Sequence, residues 1–92
     1  MTREQQLKAL HILNHYKPKN QYLKCVEELS ELSTAIMQHV NKGGYEAEVF
    51  EEVVDVLIML EQIKNCLPYG PNQFETEISR KLDRQLERMR NA

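Results

Sequence analysis

"CVEELSEL" at residues 25–32 and "FEEVVDVL" at residues 50–57 decide the reading of this chain. Each sets carboxylates among apolar residues at helical spacing, so each belongs to an amphipathic helix with acids close to its buried side. At 100° per residue, Glu28 and Glu31 stand about 60° apart, with Glu27 beyond Glu31. In the second stretch Glu48, Glu51, Glu52 and Asp55 recur at i, i+3, i+4 and i+7, one continuous acidic stripe. Like charges at i, i+4 oppose each other by roughly 0.2–0.5 kcal/mol when exposed. A sequence shaped for solubility alone would intersperse lysines, yet Lys42 is the only Lys or Arg between residues 25 and 63.

The flanking sequence makes the whole chain helical. No β-type alternation persists, and the breakers divide the 92 residues into four segments. The first is expected over about 3–16, with Thr2 and Gln5 forming a capping box and Leu7, Leu10, Ile12 and Leu13 its apolar side. Pro18 ends it, because the residue before a proline is pushed out of the helical region. Asn20 is expected to cap a second helix over about 21–42, with Tyr22, Val26, Leu29, Ile36 and Val40 as its core stripe and Gly43-Gly44 as its stop. A third helix over about 45–66 is apolar around much of its girth and should be the central one. After "LPYGPN", Asn72 should open a fourth helix with Glu75 at N3 and Phe74, Ile78, Leu82, Leu86 and Met89 on its apolar face. The expectation is an all-α, four-helix antiparallel bundle, residues 1–92 forming a single domain.

Composition narrows the function. Apolar content of 41% and charged content of 28% are ordinary for a globular protein. The longest apolar run, Val56 to Leu60, is far too short to span a membrane. The opening "MTREQQLKAL" has no apolar signal-peptide core, so a cytoplasmic location is expected. Cys25 and Cys66 show neither a disulfide framework nor metal spacing and read as small buried hydrophobes. Net charge is −2 but unevenly spread. Residues 25–63 hold nine acids against one Lys, residues 1–24 five Lys/Arg against one Glu, and residues 64–92 six Lys/Arg against four acids. No basic cluster is interleaved with aromatics, which argues against a nucleic-acid partner. A chain this short buries only about 60% of its unfolded surface, so self-association, as a homodimer or homotetramer, is expected.

Helix dipoles account for acids in a first turn, such as Glu46 and Glu48. They do not account for Glu28, Glu31, Glu52 and Asp55, which lie deeper in their helices. Those four suit a hard divalent cation held by carboxylate oxygens from two antiparallel helices. A ferritin-like di-iron site needs Glu-x-x-His, and the residues three before His11, His15 and His39 are Lys8, Ile12 and Ile36. Zinc ligation at short Cys/His spacing is absent too. All-oxygen ligation points to Mg²⁺, with Mn²⁺ as the alternative.

The ordered pair "EELSE" (Glu27, Glu28, Glu31) and "EVVD" (Glu52, Asp55), separated by twenty residues, resembles the EExxE…ExxD signature of MazG-like all-α nucleoside triphosphate pyrophosphohydrolases of the compact bacterial and phage kind. The resemblance covers about residues 22–90. It implies Mg²⁺ on a triphosphate, attack of water at the α-phosphorus, and release of a nucleoside monophosphate and pyrophosphate, with a dNTP as the expected substrate. By position, Glu28, Glu31, Glu52 and Asp55 would be metal ligands, and Glu27 would either support those ligands from behind or orient water. A related family, phosphoribosyl-ATP pyrophosphohydrolase, places Tyr-His shortly after the final Asp, where this chain has "VLIML". Dimeric dUTPases and dCTP pyrophosphatases share the metal logic, and nothing here selects a base.

Family members meet phosphate with basic residues on the fourth helix, which makes Lys81 and Arg84 the substrate-binding candidates. The plainer reading pairs Lys81 with Glu77 one turn away. Lys24 stands one turn before Glu28, as a salt-bridge partner or a substrate contact. Against the hydrolase reading stands a non-catalytic oligomeric module whose acidic groove binds metal or a basic partner.

Overall fold

The computed structural model covers Met1–Ala92 and forms four helices, α1 (Arg3–Tyr16), α2 (Pro18–Lys42), α3 (Glu46–Cys66) and α4 (Pro71–Arg90), with no strands. The α1 capping box forms as its residues dictate. The Thr2 hydroxyl accepts from the Gln5 N–H at 3.1 Å, and Gln5 Oε1 accepts from the Thr2 N–H at 2.8 Å.

Two helix starts differ from expectation, both for the same reason. Proline at the first helical position forfeits only an N–H that would go unbonded there. α2 therefore begins at Pro18, while Asn20 lies inside it and its side-chain amide donates to the Tyr16 carbonyl at 2.7 Å. Likewise α4 begins at Pro71, one residue before Asn72. Gln73, not Glu75, is its N3 residue and accepts from the Gly70 N–H at 2.7 Å. Between α1 and α2 the chain turns on Lys17 at φ 78° and ψ 152°, a region that side-chain-bearing residues rarely enter. Gly43 (φ 74°, ψ 166°) and Gly44 (φ 80°) end α2 at comparable backbone angles without that strain.

α2 and α3 form an antiparallel hairpin, and α1 packs on both. The register is set by Gln21 against Gln62 and by Glu31 near Glu52, pairs whose numbers share the same total. The fourth helix departs from the expected bundle: α4 packs on none of the other three. Two extended pre-proline residues, Leu67 (φ −97°, ψ 148°) and Gly70 (φ −84°, ψ 171°), bracket the connector and carry α4 away. The Lys64 ammonium at the end of α3 lies 5.3 Å from the Phe74 ring centre at the start of α4.

The interior also differs from the expected one. The inward face of α2 is Gln21, Cys25, Glu28 and Ala35, while Val26 and Val40 of the expected stripe are 64% and 70% exposed. Helix α3 buries Val56, Met59 and Gln62, and α1 buries Ala9 and Leu13. Small and polar side chains let three helices approach closely, and they leave the larger apolar residues facing outward. Helix α3 is thus buried on one side, against the expectation of burial on several.

Candidate metal centre

The α2–α3 register brings Glu28, Glu31 and Glu52 together, each offering an oxygen within 4.8 Å of the others. The cause is local. Glu28 and Glu31 are three residues apart on the side of α2 that meets α3, and the antiparallel pairing sets Glu52 opposite Glu31. Burial decreases across the trio: Glu28 is 8% exposed, Glu52 half-buried and Glu31 exposed.

Their surroundings leave acceptors unused. Lys24 Nζ lies 3.3 Å from Glu28 Oε1 and 3.9 Å from Glu27 Oε2. The hydrogen bond with Glu28 holds the Lys24 ammonium above the ordinary lysine value, helped by the charge of Glu27. Glu28 Oε2 is buried with no donor, and so is Glu52 Oε2. An unpaired buried carboxylate oxygen forfeits its solvation, a cost that a cation removes. Burial first, then the charges of Glu31, Asp55 and Glu28, push the Glu52 carboxyl up from its ordinary value. Two orphaned oxygens in an all-oxygen donor set therefore fit a hard divalent ion.

The other expected residues divide. Asp55 is exposed and stands outside the trio, though its charge acts on Glu52. Glu27 is exposed and engaged with Lys24, as the salt-bridge reading of Lys24 expects. Lys81 and Arg84 lie on α4, which does not pack against the hairpin, so the protomer does not bring them to the carboxylates. Glu77 pairs with Arg80 instead of Lys81, and Arg80 holds the Glu77 carboxyl below its usual range. A shallow cleft of about 310 Å³ adjoins Glu31 and Glu52, with Ser30, Thr34, Gln38 and Glu48 along its walls.

Sequence reasoning passed over Gln21 and Gln62. Gln21 Nε2 donates to Gln62 Oε1 at 2.8 Å inside the hairpin, and Gln62 is only 1% exposed. The one signal in the spacing is that Gln62 stands three residues after Met59 and so shares its side of α3.

No protein-family model, curated protein or solved structure matches the chain. The likeness to MazG-like enzymes accordingly rests on the acidic spacing, and what stands is an all-α chain of four helices with a three-glutamate cluster able to hold a metal ion. No helix is long and apolar enough to cross a membrane.

Proposed function

We propose that this chain is a Mg²⁺-dependent nucleoside triphosphate pyrophosphohydrolase of the MazG-like kind, acting on a dNTP or NTP as a homodimer or homotetramer. The observation that carries the reading is the pair of buried, donor-less oxygens on Glu28 and Glu52 within the trio. Glu28, Glu31 and Glu52 would hold the ion, with Asp55 joining from the next turn of α3. Bound there, Mg²⁺ would supply positive charge against the triphosphate oxygens, with Mn²⁺ as a substitute.

The chain's own residues set the rest of the chemistry. Lys24 fixes Glu28 through Oε1, which orients the carboxylate and holds its other oxygen in the hairpin. Glu27, exposed and 3.9 Å from Lys24, is the residue this reading assigns to ordering a water. Hydrolysis asks mainly for in-line positioning of that water against the α-phosphorus, so fixed carboxylates on two packed helices suit it. The polar walls of the adjoining cleft, Ser30, Thr34 and Gln38, offer hydrogen bonds to a sugar or base. Lys81 and Arg84, on a helix that packs on none of the other three, have no part in this reading.

Phosphorus NMR of a mixture of NTPs and dNTPs incubated with protein and Mg²⁺ tests it. Pyrophosphate and a nucleoside monophosphate are expected in equal amounts, and none after addition of EDTA. Orthophosphate release, or no turnover of any nucleotide, rejects the reading.

A further inference from the structure

Helix α4 is an amphipathic helix that packs on none of the other three. Ile78, Leu82, Leu86 and Met89 share one face, all more than half exposed, and only Phe74 at its start is partly covered. The same chain also carries an open apolar groove of about 670 Å³ between α1 and α3, formed chiefly by Ile12, Val54, Leu57, Ile58 and Leu60. The lengths agree. From Ile78 to Leu86 the α4 face runs about 12 Å, and from Val54 to Lys64 the α3 wall of the groove runs about 15 Å.

Two quantities measure how much surface the protomer leaves for a second copy to cover. A compact monomer of 10.9 kDa exposes roughly 5,600 Å². This protomer exposes 7427 Å², an excess of about 1,800 Å² that is an obligate interface's worth once counted on two copies. The radius of gyration is 15.9 Å, against about 12 Å for a compact domain of this length. The geometry of the connector explains the shape. Pro68 and Pro71 hold Leu67 and Gly70 extended, so α4 is set away from its own groove. A short, stiff hinge beside a complementary face favours exchange between identical chains.

We propose that two copies exchange α4, each seating the Ile78–Leu82–Leu86 face in the α1–α3 groove of the other. Leu57 lies about 140° around α3 from Glu52, so the exchanged helix packs away from the carboxylates. The exchange and the metal reading therefore fail separately.

Sedimentation of the full chain at micromolar concentration, with circular dichroism to confirm helix content, reads the proposal. The wild-type chain is expected at twice the protomer mass or a multiple of it. The double variant Ile78→Asp, Leu82→Asp and the double variant Leu57→Asp, Leu60→Asp should each be monomeric, while Glu87→Gln on the opposite side of α4 should associate normally. Mixing the two monomeric variants should restore a heterodimer, because an intact α4 on one meets an intact groove on the other. A monomeric wild-type chain, double variants that still associate, or a mixture that stays monomeric overturns the exchange. Isotope-filtered NMR on mixed labelled and unlabelled wild-type protein gives a reading free of variants. Contacts between Leu82 and Leu57 methyls should be intermolecular, and finding them only within one chain means α4 folds back on itself and the proposal is wrong.

Discussion

Glu28 on α2 and Glu52 on α3 hold carboxylate oxygens within 4.8 Å of each other, and each buries an Oε2 without a hydrogen-bond donor. Two packed helices thus spend part of their contact on groups that repel. A cation between them removes both the repulsion and the unmet acceptors, so metal should stabilise the fold. At about 100 times its dissociation constant, an ion that binds only the native state adds roughly 2.7 kcal/mol. For a chain of this size that corresponds to a rise in Tm of roughly 10–20 °C. Thermal melts in millimolar Mg²⁺ against EDTA measure it, and superimposable curves would count against the site.

Glu52 supplies a pH signature. Its carboxyl is pushed up in the folded chain by burial and by Glu31, Asp55 and Glu28. An acid that binds its proton more readily when folded than when unfolded favours folding at low pH. Stability of the metal-free protein should therefore fall as pH rises from the ordinary carboxylate range through the raised value. Glu52→Gln should flatten that fall, melt higher than the wild-type chain in EDTA at neutral pH, and lose hydrolysis. Denaturant titrations across pH 4–8 follow the first two effects, and a Glu52→Gln chain that is unfolded would make Glu52 a structural partner instead.

The Gln21–Gln62 bond predicts non-additivity. Gln62→Leu strands a buried amide and should cost about 1–3 kcal/mol. Replacing both glutamines by leucine removes donor and acceptor together and should cost much less than the two single changes combined. A urea double-mutant cycle gives the coupling, and additive effects would show that the bond contributes nothing.

Lys17, at φ 78° and ψ 152°, occupies backbone space suited to glycine. Lys17→Gly should raise stability by about 1 kcal/mol, the relief of strain exceeding the added freedom of the unfolded chain. Chemical denaturation checks the sign. A loss of stability would mean that the connection between α1 and α2 relaxes away from these angles.

The glutamate cluster was legible because i, i+3 spacing and a short glycine turn leave little freedom in where Glu28, Glu31 and Glu52 meet. The inward face of α2 was not. Tyr22, Val26, Leu29, Ile36 and Val40 form an apolar stripe beside the polar stripe of Gln21, Cys25 and Glu28, and periodicity assigns the interior to the more apolar of the two. Close helix approach favours the small side chains, Cys25 and Ala35, and carries Gln21 and Glu28 inside with them. The apolar face of α4 was equally plain, since Phe74, Ile78, Leu82 and Leu86 recur every four residues. A hydrophobic stripe states that a face needs covering and says nothing of which chain covers it. Prolines 18 and 71, helix breakers by sequence, serve as first residues of helices, where a missing N–H costs nothing.

Binding of a divalent cation by the facing carboxylates of α2 and α3 is read by Mn²⁺ titration followed by electron paramagnetic resonance. Binding removes the sharp signal of free aqueous Mn²⁺, so the free concentration is read without reference to turnover or stability. The wild-type chain should take up Mn²⁺ in saturable fashion, with Mg²⁺ competing, and both Glu28→Gln and Glu52→Gln should weaken uptake at least tenfold. Uptake that is absent, or that persists unchanged in both variants, would mean that these carboxylates hold no cation.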